Sequence, residues 1–366
     1  MDKVNFISEF ADLDLSEDIG DDELYLTYDI TTYPSDLSIQ VIFDQYTNDD
    51  RDIEIPRFQR GFVWTIKQSS LLIESILLGL PVPPVFFYVT RDNRSIVIDG
   101  QQRLRSVIYF LEGYFGEEDS GGKRRKFRLE GLNKNAPFLK KTFAELEVSD
   151  QRKIKNAVIR AINIRQLSPD DDGSSMFHIF ERLNTGGTPL SPQEIRVCVY
   201  QGNIVDYLER LNRDPNWRTL LGAKGLDKRG RDQELILRLL GLTLRFEKYE
   251  RPMKEFLNQT MAAFRNVDRA AVQRFEVKFY AVTKAISELL GPRPFRLTGA
   301  TNTAILDAVM VAALASSKEV PPDLEERFRT LLADDEFLQA ATRSTADTAF
   351  VSKRIKKAQG IIFNAT

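Results

Sequence analysis

Hydrophobic positions divide the chain into a mixed first half and a helical second half. Ile96-Val97-Ile98 is a β-branched run that ends in Asp99 and Gly100, and Leu104, Val107, Ile108 and Leu111 then recur at helical spacing. That order predicts a buried strand, a glycine turn and a helix with one inward face. Residues 85–89 form a second apolar run, and the polar link over 90–94 is too short for a parallel crossover, so the two runs are expected to pair as a hairpin. Helices are predicted over 37–46, 67–78 (with Gly79 as the stop) and 174–183, and further strands over 127–129 and 157–164. Leu80-Pro81-Val82-Pro83-Pro84 can be neither helix nor central strand and is read as an extended connector.

Ser191 with Glu194 makes a capping box, and Pro192 sits at the favoured first helical position. Beyond Arg196 the pattern is helical almost throughout, notably over 234–246, 253–264, 272–290, 304–314, 324–332 and 352–359. The expected organisation is α+β: an acidic arm over 1–36, a mixed-sheet domain over 37–170, and a large all-helical region over 171–366.

Charge and composition narrow the chemistry. With 51 basic and 53 acidic residues, a wholly basic nucleic-acid coat is not expected. Local basic patches at Lys123-Arg124-Arg125-Lys126 and at Lys353, Arg354, Lys356 and Lys357 keep a nucleic-acid contact open beside the default of a solvated face. Cys198 is the only cysteine and His178 the only histidine, which excludes disulfides, multi-cysteine zinc sites and two-histidine metal sites within this sequence. The segment around Gly116–Arg124 is one residue too long for a P-loop and lacks its Ser or Thr. No signal pattern opens the chain, and the most apolar helix carries Asp307, so the expectation is a cytoplasmic protein with no membrane span.

The strand–turn–helix junction is the richest place for chemistry. Gln101, Gln102 and Arg103 fall in the first helical turn, where backbone N–H groups lack internal partners and the helix end favours anions. Arg103 can grip phosphate oxygens in two-pronged fashion, Asp99 can hold a metal or orient a water, and either glutamine can position an attacking water. The plainer reading is an ordinary Asp-Gly turn with a helix cap. A second candidate element is the loop Arg57-Phe58-Gln59-Arg60-Gly61-Phe62-Val63-Trp64, where Gln59 and Arg60 sit among aromatics that must find either a core or a ligand. A third is the segment after the 174–183 helix, where Arg182, Asn184 and Thr185 border a glycine pair.

Four motifs recur here in one order: Ile55-Pro56-x-Phe58-Gln59-Arg60-x-Phe62-Val63-Trp64, Glu74-Ser75-Ile76-Leu77-Leu78-Gly79-x-Pro81-x-Pro83-Pro84, Asp99-Gly100-Gln101-Gln102-Arg103-Leu104 and Phe180-Glu181-Arg182-Leu183-Asn184-Thr185-Gly186-Gly187. Together they resemble the amino-terminal domain family of the GmrSD-type modification-dependent restriction enzymes, over about residues 33–264. The resemblance implies a ParB/sulfiredoxin-like core and a nucleotide site at Asp99–Arg103. It also implies a role in bacterial defence against phage, with nucleoside triphosphate turnover coupled to recognition of modified DNA.

On that basis Asp99, Gln101, Gln102 and Arg103 are expected to be catalytic. Gln59, Arg60, Gly100, Arg182, Asn184 and Thr185 are expected to contact nucleotide, and Asp99 to hold Mg2+. Many relatives carry a further histidine-containing nuclease domain, which one histidine cannot supply, so a separate nuclease subunit is the expected partner beside DNA. A dimer surface on the helical half stays open. The alternatives are a non-hydrolysing, nucleotide-switched binding module and a ParB-like metal-dependent nuclease.

Overall fold

A computed structural model describes residues 29–363 except 51, 57–61, 119–121, 169–173, 184–189, 201, 224, 268–269, 299 and 344. The chain packs as two units, one over Thr27–Pro189 and the other including Leu190–Thr366.

The first unit is built on a five-stranded mixed sheet. Its elements run β1 (Asp29–Ser38), α1 (Ile39–Thr47), β2 (Ile53–Glu54), α2 (Ile66–Leu77), β3 (Val85–Val89), β4 (Ser95–Asp99), α3 (Gln101–Glu112), β5 (Tyr114–Phe115), β6 (Arg125–Lys126), α4 (Val148–Asn156), β7 (Val158–Ser168) and α5 (Ser174–Leu183). The order across the main sheet is β1-β7-β3-β4-β2. β3 and β4 pair antiparallel, as the short link requires, with Phe87 opposite Val97 and Phe86 opposite Asp99. β3 runs parallel to β7, and β4 runs parallel to β2.

β4 is buried on both faces, which is why its sequence is a continuous apolar run rather than an alternating one. Val97 enters a core made with Ile73, Val85, Phe87, Leu104 and Phe110. Ile96 and Ile98 are also buried, and α5 packs against the strand. α2 begins at a Thr65 capping box completed by Gln68. Gly79 takes a positive φ of 71° just past the end of α2, the helix stop read from the sequence.

Residues 29–38, which the acidic-arm reading includes in part, form an edge strand paired along its length with β7. Pro34 is compatible with that position because an edge strand leaves one side without ladder bonds. Residues 127–129 are not a strand. Phe127 and Leu129 are buried, but their N–H groups donate to Gly113 and Lys141 carbonyls in irregular chain. A buried alternation alone does not distinguish a strand from a packed loop. The basic run at 123–126 joins a small hairpin, in which Arg124 donates to Glu112 and Arg125 pairs with Glu130.

The second unit contains α6 (Pro192–Val199), α7 (Asn203–Asn212), α8 (Pro215–Leu221), α9 (Arg231–Leu244), α10 (Met253–Ala263), α11 (Ala270–Leu290), the β8–β9 ribbon (Arg296–Thr298 and Ala300–Thr301), α12 (Thr303–Ala315), α13 (Leu324–Leu332), α14 (Asp335–Thr342) and α15 (Thr348–Phe363). α6 starts at the predicted Ser191–Glu194 capping box with Pro192 at its head. α12 is buried all round and is the centre of the unit. Its Asp307 is fully buried and receives Arg238 at 2.7 Å and Arg354 at 3.6 Å.

On α15, Lys353 and Lys357 pair with Glu336, Lys357 also pairs with Asp334, and Arg354 is buried. Those charges hold α14 to α15 rather than forming a free basic face. Among the described residues no helix is long and apolar enough to cross a membrane.

Candidate functional site

Gly100 sets the geometry of the junction between β4 and α3. It is the N-cap of α3 in the left-handed region, at φ 97° and ψ 7°, and having no side chain it supplies no cap to the first turn. The helix thus opens without a hydrogen bond from an N-cap side chain, and helix starts favour anions. Glycine is required twice over. Its φ is costly for any L side chain, and a Cβ would lie 2.5 Å from Val85 Cγ1 and 3.1 Å from Arg103 Nη2.

Arg103 leans back over the turn. Its Nη2 donates to Asp99 Oδ2 at 2.8 Å and to the Pro84 carbonyl at 3.0 Å. The guanidinium is largely shielded, with the side chain 18% exposed, while Asp99 is 46% exposed. Arg103 Nε is buried and has no hydrogen-bond partner among the described residues. A cation is thus held in place by a strand-end carboxylate and by the carbonyl that closes the proline connector. Its position is fixed before any ligand arrives.

Gln102 is used differently. Its Oε1 accepts from the Val63 N–H at 3.1 Å and the Trp64 N–H at 3.2 Å. This clamps the segment that leads out of residues 57–61 onto the first turn of α3. Phe62 helps by packing edge-on against Tyr109 and Phe115, with ring centroids 5.0 and 5.2 Å away. The aromatics in this loop that the structure describes, Phe62 and Trp64, find a core.

The structure therefore brings Asp99, Gly100, Gln101, Gln102 and Arg103 together at one strand end. Arg182 lies exposed in the last turn of α5, the helix that packs against β4. Gln59, Arg60, Asn184 and Thr185 fall outside the described residues. His178 lies on α5 with Nδ1 4.0 Å from Glu181. Sequence reasoning missed Pro84 and Val85. The run of prolines before β3 was the available signal, since it holds the Pro84 carbonyl where Arg103 reaches it. No group of three or more His, Cys, Asp or Glu side chains suited to a metal occurs among the described residues.

Residues 39–201 match the family model described as the GmrSD restriction endonuclease, N-terminal domain. No curated protein matches the chain. Among solved structures, one described as the structure of the pNOB8-like ParB N-domain aligns over 91% of this chain and 98% of that chain at 12% identity, with a TM-score of 0.26. That superposition is too loose to define a shared fold.

Proposed function

Residues 39–201 match the family model of the GmrSD restriction endonuclease N-terminal domain, and from that premise we infer that the chain binds and hydrolyses a nucleoside triphosphate as the sensor or motor component of a modification-dependent DNA restriction system. The observation that carries this reading is the junction at Gly100: a helix start that takes no side-chain bond from its N-cap, beside a shielded arginine already held in position. Phosphate oxygens fit the amides of α3 and the guanidinium of Arg103, where charge-assisted bonds are about twice as strong as neutral ones.

Asp99 is the one carboxylate of the motif. Magnesium typically keeps several waters and takes only one or two protein carboxylates when phosphates supply its other ligands, so a single acid suits an ion that arrives with the nucleotide. In this reading Asp99 holds Mg2+, which offsets charge on the transferred phosphoryl group. Because Gln102 commits its carbonyl oxygen to Val63 and Trp64, the water-orienting role falls to Gln101. Arg60 and Gln59 are assigned further phosphate contacts, and Arg182, Asn184 and Thr185 further contacts to the nucleotide. DNA is the polymer that the system reads, and cleavage is assigned to a nuclease outside these 366 residues.

Phosphate release from the purified full chain, with and without plain and modified DNA, tests the reading. Asp99→Ala and Arg103→Ala should each abolish release. Wild-type release by both would remove the site assignment. A second reading, a nucleotide-operated switch without turnover, draws on the Asp99–Arg103 pair and the Gln102 clamp, through which occupancy by phosphate could reset the 62–64 segment. Tight binding with no phosphate release in any condition would select it.

A further inference from the structure

The helical unit carries an open groove of about 690 Å³ along α11, closed on one side by residues 317–320. Its floor is apolar, with Val277, Ala281 and Val320. Val277, in the middle of this 21-residue helix, is 73% exposed, the highest figure among the exposed large apolar side chains of the described residues.

Three cations rim the groove: Arg274, Lys278 and Lys318. None is neutralised by a carboxylate among the described residues. The Lys318 ammonium donates to the Phe363 carbonyl at 2.8 Å and that of Lys278 to the Ser316 carbonyl, and carbonyls satisfy the N–H groups while leaving the charge uncompensated. Glu319 is the single acid in the lining. The other charged helix faces of this unit are different, since Arg210 pairs with Glu276 and Lys357 pairs with Asp334 and Glu336.

The sequence holds a segment of the opposite kind. Residues 1–28 interleave Phe6, Ile7, Phe10, Leu13 and Leu15 with acids that include Glu17, Asp18, Asp21, Asp22 and Glu23, and Lys3 is the only basic side chain there. Large apolar residues in so acidic a stretch need a surface that accepts both characters, an apolar floor with a cationic rim.

We propose that the groove on α11 is the docking site of the chain's own acidic N-terminal segment, residues 1–28. Phe6, Ile7 and Phe10 cover Val277 and Ala281, and the acidic residues meet Arg274, Lys278 and Lys318.

Photocrosslinking of the full chain tests this directly. Phe10 is replaced by p-benzoylphenylalanine, the protein is irradiated at low concentration, and the adduct is mapped by mass spectrometry. The expected adduct joins the arm to residues 270–285 or 316–320 of the same chain and runs as a monomer. The double variant Arg274→Glu with Lys318→Glu should lower its yield at least several-fold, and adding Asp21→Lys with Asp22→Lys should restore it. Raising the ionic strength should lower the wild-type yield, because exposed charges are screened. Adducts that map elsewhere, adducts between two copies, or a yield indifferent to charge reversal would each overturn the proposal.

Discussion

Replacing Gly100 with alanine probes the one residue on which the junction's geometry turns. Two separate costs follow from the structure. The first is backbone: at φ 97° an L side chain is strained by about 1–2 kcal/mol. The second is steric: the new Cβ would sit 2.5 Å from Val85 Cγ1 and 3.0 Å from Val85 Cβ. Val85 is fully buried in β3 between β4 and β7 and cannot swing aside, so overpacking adds about 1–3 kcal/mol.

Gly100→Ala should therefore destabilise the chain by about 2–5 kcal/mol in equilibrium urea denaturation. The same substitution in a Val85→Ala background removes the 2.5 Å contact with Cγ1 and leaves the looser one with Cβ, so its cost should fall toward the backbone part of about 1–2 kcal/mol. The two changes are thus expected to be coupled by about 1–3 kcal/mol, as contacting residues are. A Gly100→Ala cost below about 0.5 kcal/mol, or an equal cost in both backgrounds, would refute the double requirement for glycine.

Removing the Gln102 side-chain oxygen should act locally. Gln102→Ala leaves the Val63 and Trp64 N–H groups without their acceptor, costing about 0.5–1.5 kcal/mol while making the chain at 62–64 a new site of limited proteolysis. Asp307→Ala leaves Arg238 and Arg354 buried without their carboxylate and should cost about 3–5 kcal/mol in the same denaturation assay. Hydrogen bonds from Lys357 and from the Phe337 N–H hold the Asp334 carboxyl below its ordinary value, and Lys357 followed by Lys353 does the same for Glu336. A lowered folded-state value means that the unfolded chain binds more protons in the acid range. The stabilisation is present above the ordinary values of 3.8 and 4.5 and is lost as pH falls through and below them. Stability measured across this window should fall with a shallower slope in Asp334→Asn than in the wild type.

Much of the fold was legible in the sequence because its signals are local. The β3–β4 hairpin follows from two apolar runs and a short polar link, and the start of α6 follows from Ser191, Pro192 and Glu194. The register of Gln101 to Arg103 in a first helical turn was readable for the same reason. What sequence could not supply was long-range partnership. Residues 29–36 read as the end of an acidic arm and 37–38 as the start of a helix, because an edge strand exposed on much of its length carries little hydrophobic pattern; only its pairing with β7 makes 29–38 a strand.

The individual roles of the two glutamines were equally hidden. Gln102 meets Val63 and Trp64 across nearly forty positions of chain, so nothing in the motif separates it from Gln101. The lysines of α15 looked like a basic stripe until their partners on α14 were placed. Phe127 and Leu129 looked like a strand because buried apolar alternation is shared by strands and by loops pinned on a core.

Binding of a non-hydrolysable nucleoside triphosphate analogue to the full chain, measured by titration calorimetry in the presence of magnesium, bears most directly on the central claim. The wild type should bind, and Arg103→Ala, shown to be folded by its urea transition, should bind more weakly by about 1.5–3 kcal/mol, roughly 10- to 150-fold. Equal affinity in the two proteins, or no binding by the wild type to any nucleotide, would mean that the amides and guanidinium beside Gly100 serve the fold and not a phosphate.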